Sequence, residues 1–153
     1  MTIEIRMASA EDAELLARIH AECFEDHWPA VSFRSLLDGA GVFGLVAGRS
    51  AGPQISSFIV VRIAVDDAEI LTLATLPAAR GSGFASGLIR AAMEQAKNRG
   101  ALSLFLEVAE TNQPGLRLYK KLGFKQLAVR PGYYESGTNA AVAAVVMRRE
   151  LSS

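Results

Sequence analysis

Apolar positions recur along this chain at two spacings, and the switches between them mark out strands and helices. Thr2–Met7 alternates apolar and polar residues, which predicts a first strand. Ser9 offers a helix N-cap with Asp12 three positions on, and Leu15, Leu16, Ile19 and Cys23 then share one helical face. Asp26-His27-Trp28-Pro29 interrupts that helix, Ser32–Leu37 predicts a short second one, and Gly39–Gly41 a turn. Val42–Ala47 and Ile55–Val65 predict strands joined through Gly48–Pro53, and after a turn at Asp66-Asp67 the run Ala68–Thr75 predicts a buried strand.

The clearest helical period follows: Phe84, Leu88, Ile89, Ala92, Met93 and Ala96 share a face, and Lys97, Arg99 and Gly100 end the helix with cations and then glycine. Leu102–Val108 predicts a strand, and Asn112–Leu122 a helix stopped by Gly123. Phe124–Val129 and Ala140–Arg148 predict two last strands around a polar, aromatic loop at 130–137. The order β α α β β β α β α β β predicts an α/β domain with a mixed sheet of about 6–7 strands, antiparallel at first and crossing over halfway.

Composition narrows the class. A length of 153 residues, half of them apolar and 21% charged, fits one globular domain spanning 1–153 with a sizeable core. Sixteen basic residues balance sixteen acidic ones, which argues against a nucleic-acid footprint. No apolar run reaches membrane-spanning length, and the start of the chain lacks a signal-peptide pattern, so the expected location is cytoplasmic. Cys23 is the single cysteine, which excludes an internal disulfide, and its place on an apolar stripe predicts a core side chain. His20 and His27 have no carboxylate or cysteine at metal spacing. They are expected to be satisfied surface or core histidines, and no metal site is expected.

The most informative stretch is the turn Arg80-Gly81-Ser82-Gly83-Phe84-Ala85-Ser86, which leads from a strand into a helix N-terminus. Free backbone N–H groups and the positive end of the helix dipole suit a phosphate or pyrophosphate, and the glycines let the main chain approach it. A Walker A loop is excluded because the chain contains no Gly-Lys pair. A dinucleotide loop is excluded because Ser86 stands where its third glycine belongs, and because the turn follows the fourth strand.

The pattern Arg/Gln-x-x-Gly-x-Gly/Ala is met by Arg80, Gly83 and Ala85. A second cluster runs Leu106-Glu107-Val108 to Asn112, then Leu118-Tyr119 to Leu122-Gly123-Phe124; Arg130-Pro-x-Tyr133-Tyr134 and Val145-Val-Met147 come last. With these motifs nearly the whole chain resembles the GNAT family of acetyl-CoA-dependent N-acetyltransferases, and within it the RimI-type branch, which acetylates the N-terminal amine of a ribosomal protein, typically at alanine.

The resemblance implies a GNAT fold with helices on both faces of the sheet, and coenzyme A pyrophosphate on Arg80–Ser86. Backbone groups of Leu73, Ala74 and Thr75 would hold the pantetheine, together with Asn112, which could equally cap its helix. It implies Glu107 as general base through a water. From the residues alone, Glu107 is either an edge residue facing solvent or a partly desolvated carboxylate with a task. Tyr119 is either a core aromatic or, as the family implies, the group that meets the departing thiolate. Trp28, Tyr133 and Tyr134 resemble positions lining a peptide groove. The implied partner is a protein N-terminus or peptide, a ribosomal protein among the candidates, with no nucleic acid or membrane and the oligomeric state open. Two departures bear on the acceptor: Ala109 stands where the branch often has a basic residue, and Asn139–Val142 lacks an acidic pair. A small-molecule amine or amino acid as acceptor, and a non-catalytic acyl-CoA-binding role, stand as alternatives.

Overall fold

The computed structural model describes residues 2–50, 54–132 and 142–151. Its strands are β1 (Ile3–Met7), β2 (Val42–Arg49), β3 (Ile55–Ala64), β4 (Asp67–Thr75), β5 (Ser103–Ala109), β6 (Lys125–Arg130) and β7 (Ala144–Glu150), and its helices are α1 (Ala13–Cys23), α2 (Ala30–Asp38), α3 (Phe84–Asn98) and α4 (Gln113–Lys121). They form one seven-stranded sheet in the order β1-β2-β3-β4-β5-β7-β6.

Strand alternation divides the apolar residues between two cores. On one face Phe43, Leu45, Ile59 and Val61 pack against the apolar stripe of α3, with Leu104, Leu106, Val108 and Met147 continuing that core. On the other, Val46, Phe58, Val60 and Ala74 pack against Ala13, Leu16 and Ile19 of α1 and Phe33 of α2. The sheet thus carries helices on both faces. The short second helix is longer than expected, Ala30–Asp38, starting directly after Pro29, whose carbonyl accepts the Ser32 and Phe33 N–H groups. The last strand starts at Ala144 and runs to Glu150. Ser9 donates its N–H to Asp12 Oδ2 at 2.9 Å, so the expected N-terminal signal is used, but on a 3-10 turn preceding α1.

The joint between β4 and β5 positions the site. Pairing is antiparallel from β1 to β4, whereas β4 and β5 run parallel and are in register only at Asp67↔Ser103, Ala68↔Leu104 and Glu69↔Phe105. From Ile70 and Leu106 onward the two strands part. Leu71 also bulges, because Val60 faces Thr72 while Val61 faces Ile70; a bulge bends its strand and ends regular pairing where it sits. The sheet therefore opens into a cleft between the C-terminal halves of β4 and β5. On the α1 side, α1 and α2 cover β2 to β4, leaving Glu107 and Ala109 exposed beyond them.

Candidate active site

A cavity of about 410 Å³ fills the cleft. One wall is β4 from Ile70 to Leu73, the opposite wall is β5 from Leu106 to Ala109, and Asn112 and Tyr119 close the α4 end. The end of α1 and the α1–α2 connection supply a third wall of His20, Phe24, Asp26 and Trp28. Of the residues expected from sequence, the cleft gathers Leu73, Glu107, Asn112, Tyr119 and Trp28. Tyr133 and Tyr134 lie outside the described residues.

Glu107 is on an otherwise apolar strand, but its neighbours Leu106 and Val108 point into the α3 core, and Glu107 takes the alternate, open face. Its carboxylate is 40% exposed and accepts a hydrogen bond from Arg130 Nη1 at 2.6 Å. The carboxylate is thus partly covered and also held in an ion pair at the mouth of the cleft. Arg130 lies in the same cross-strand row as Ala144 and Ala109. Two methyl side chains leave its path across β7 open, and it delivers a cation beside Glu107 where Ala109 cannot.

Tyr119 is mostly buried, in edge-to-face contact with Phe124 at 5.9 Å, and also lines the cavity. The one side chain packs against the core and also faces the cavity. Burial pushes its phenol above the ordinary value, so it remains a neutral O–H donor. Asn112 caps α4, its Oδ1 accepting the Gly115 N–H at 3.0 Å, and lines the cavity as well.

The glycine turn begins just past the end of β4, beyond a 3-10 turn at Pro77–Ala79. Gly81 and Gly83 have φ of +81° and +89°, in the left-handed region that side chains disfavour. A Cβ at Gly81 would meet nothing within 4 Å, so this glycine serves backbone conformation and leaves open space outside it. Gly83 caps the fifteen-residue α3 without any side-chain cap bond, and the first turn of α3 contains no acidic residue. The N–H groups at its start therefore face outward with the dipole uncompensated. Arg80 Nε is tied to the Thr75 carbonyl at 3.2 Å, and Arg49 Nη2 donates to Ser82 Oγ at 2.9 Å. Arg49 also lies over the Phe84 ring, a cation brought to the turn from β2 that no local motif signalled. Thr75 Oγ1 shares a hydrogen bond with Ser57 Oγ, and the Thr75 carbonyl accepts from Cys23 and Arg80. Ala74 packs into the α1–α2 core with its carbonyl accepting from Ser57 Oγ, so of Leu73, Ala74 and Thr75 it is Leu73 that lines the cavity.

Cys23 is half-buried and donates Sγ–H to the Thr75 carbonyl at 3.3 Å, in keeping with a packing role. His20 is 3% exposed and sits in an aromatic cluster, with ring centroids 4.5 Å from Phe24 and 5.0 Å from Trp28. Among the described residues no group of three or more His, Cys, Asp or Glu could hold a metal ion, and no helix is long and apolar enough to cross a membrane.

The sequence profile of the acetyltransferase (GNAT) family matches residues 13–124. The chain belongs to that family. It is an acetyl-CoA-dependent N-acetyltransferase, and the cleft described above is the place in the fold where its candidate residues meet. The chain is 32% identical over 143 residues to the ribosomal protein bS18-alanine N-acetyltransferase of Haemophilus influenzae, covering 94% of this chain and 95% of that one. An N-alpha-acetyltransferase of Saccharolobus solfataricus is 28% identical over 149 residues, covering 89% and 88%. The crystal structure of the ribosomal-protein-S18-alanine N-acetyltransferase from Escherichia coli superposes with a TM-score of 0.89 at 22% identity, covering 99% and 96%, a likeness of fold.

Proposed function

We propose that this enzyme acetylates the N-terminal α-amine of a protein or peptide, with a ribosomal protein whose first residue is alanine as the first candidate. One observation carries the reading: the β4–β5 cleft brings Glu107, Tyr119, Asn112 and Trp28 to a single cavity, and the strand that forms one wall of it leads on into the glycine turn. The relatives named for alanine N-acetylation and N-alpha-acetylation support the substrate class.

Acetyl-CoA supplies an acetyl group activated as a thioester. The residues of the turn fit its pyrophosphate: outward N–H groups of the α3 start, open space at Gly81, and Arg49 and Arg80 alongside. Leu73 to Thr75 offer main-chain groups toward the pantetheine and the acetyl carbonyl, and Asn112 flanks the same channel. In the transfer a carbon–nitrogen bond forms, the carbon–sulfur bond breaks, and the amine loses one proton. Glu107 accepts that proton, through a water, with the carboxylate oxygen that Arg130 leaves open. Tyr119 donates a hydrogen bond to the departing sulfur. An ordinary phenol is about 1.5 pKa units above a thiol, so full proton transfer would be uphill by about 2 kcal/mol, and burial of Tyr119 widens the gap. Its role is a hydrogen bond, not proton delivery.

Demand on the base is modest for such a substrate. An α-amine with pKa of about 7.8 is roughly 14% neutral at pH 7, against about 0.04% for a lysine amine. A free amino acid is the less favoured acceptor. Asp26 and Glu107 both line the cavity while no lysine or arginine does among the described residues, so a substrate carboxylate would meet like charge and would have to compete with Glu107 for Arg130 at the mouth of the cleft. A panel of peptides with varied first residues, run against amino acids and simple amines with labelled acetyl-CoA, tests the reading. Highest kcat/KM on a peptide beginning with alanine supports it; preference for a small amine replaces it, and binding of acetyl-CoA without turnover on any amine reduces the chain to an acyl-CoA-binding protein.

A further inference from the structure

His20 projects from α1 into the aromatic wall of the cavity and is 3% exposed. The backbone N–H of Trp28 donates to its Nδ1 at 3.1 Å, so Nδ1 carries no proton and the hydrogen sits on Nε2. Nε2 has no partner among the described residues, yet no fully buried side-chain nitrogen or oxygen there lacks one. Nε2 therefore keeps some exposed surface, and the open space that His20 lines is the cavity. Burial holds the imidazole below its ordinary pKa and the nearby His27 acts in the same direction, which keeps this donor neutral at pH 7.

We infer that the Nε2–H of His20 binds the first carbonyl oxygen of the acceptor, making the enzyme selective for amines that carry a carbonyl two bonds away. This rests on the reading of the cavity as the α-amine site. A neutral donor with no protein partner among the described residues, opening onto the cavity from an otherwise buried ring, is free to meet an acceptor that a ligand brings there. The neighbouring groups define which acceptor. Phe24 and Trp28 present apolar rings, while Asp26 and Glu107 favour an amine and disfavour a carboxylate. A neutral donor beside two carboxylates suits an uncharged carbonyl next to an amine, the unit found at a peptide N-terminus and absent from a lysine side chain or an alkylamine. His20 is thus placed as a specificity-determining residue, held in one tautomer by the Trp28 main chain and in one orientation by its ring neighbours.

The test compares paired acceptors: an alanine-ended peptide with its analogue reduced from C=O to CH2 at the first carbonyl, and alaninamide with isopropylamine. His20→Phe keeps the aromatic packing and removes the donor, while His20→Gln keeps an N–H. His20→Phe should lower kcat/KM on the carbonyl-bearing member of each pair by about 10–100-fold, mainly through KM. The carbonyl-free member should change less than about threefold, with His20→Gln intermediate and acetyl-CoA affinity unaltered. Equal losses on both members, or no loss on either, would overturn the assignment. Wild-type turnover of alaninamide but of no peptide overturns the protein N-terminus reading and leaves the His20 comparison intact, whereas no turnover in either pair overturns both.

Discussion

Arg130 Nη1 stands 2.6 Å from Glu107 Oε2, joining the outermost strand of the sheet to the mouth of the β4–β5 cleft. The contact crosses β7 over Ala144 and ties down one carboxylate oxygen. Both partners are substantially exposed, so the pair contributes little to stability, within about 1 kcal/mol. Its consequence is positional. Glu107→Gln, which keeps shape and loses the proton acceptor, should lower kcat by about 100-fold or more. Arg130→Ala should lower kcat/KM by less than about tenfold, because the carboxylate remains. Steady-state kinetics on the two variants separate base from partner; equal losses would make the ion pair, and not the carboxylate, the working unit.

Tyr119→Phe should reduce kcat by about 100-fold while leaving KM for the amine near its wild-type value, since the hydroxyl acts on the leaving sulfur. The Phe124 contact is retained by the substituted ring, so the fold should survive. Because burial raises the phenol, no basic limb of the wild-type pH–rate profile below about pH 10 should belong to Tyr119. A limb in that range that vanishes in Tyr119→Phe would contradict the neutral-donor role.

Gly83→Ala tests the cradle. The added Cβ would meet only Ile3 Cδ1, at an ordinary 3.8 Å, so the penalty comes from φ at +89°. A destabilisation of about 1–2 kcal/mol is expected, read from urea midpoints. Acetyl-CoA affinity measured by calorimetry should fall with it, as the α3 start loses its outward N–H geometry. Unchanged affinity in a destabilised variant would move the pyrophosphate off this turn.

Acid should weaken the fold in two steps. His20 has a lowered folded pKa, chiefly from burial, so below its ordinary value of 6.5 the unfolded chain takes up a proton that the folded chain refuses. Stability falls as pH drops below that point. Asp12 is lowered chiefly by its hydrogen bond from Arg6, with the Ser9 N–H adding to it and partial burial opposing. Its contribution is complete above about 3.8 and is lost as pH falls from there through the lower folded value. Urea midpoints from pH 8 to pH 3 should show both steps, with His20→Phe removing the first and Asp12→Asn the second.

The strands, helices and glycine turn were legible because each rests on local signals: alternation in β1, apolar runs in β2 and β3, a helical stripe from Phe84 to Ala96, and glycines at positive φ. Glu107, Asn112 and Tyr119 were legible because they sit near one another in sequence, on β5 and α4. Arg130, Arg49 and His20 were not, for they reach the site through tertiary placement. Arg130 arrives by cross-strand register over two alanines. Arg49 comes from a strand on the far side of β3 and meets Ser82 thirty-three positions away in sequence. His20 lies on the apolar side of α1, where a histidine reads as packing; the Trp28 N–H that fixes its tautomer follows an irregular connection no pattern predicts. The reversal of order between β6 and β7 is likewise set by pairing, not by local pattern.

The central claim is that the cleft delivers acetyl to an α-amine. Its most direct test is a single peptide bearing a free N-terminal alanine and an internal lysine, incubated with enzyme and acetyl-CoA near neutral pH, with the acetyl group located by fragmentation mass spectrometry. Acetylation is expected at the alanine nitrogen, with the lysine unmodified and the initial rate about 100-fold lower or more for Glu107→Gln. Acetyl on the lysine, or the same initial rate from the Glu107→Gln variant, would contradict the claim.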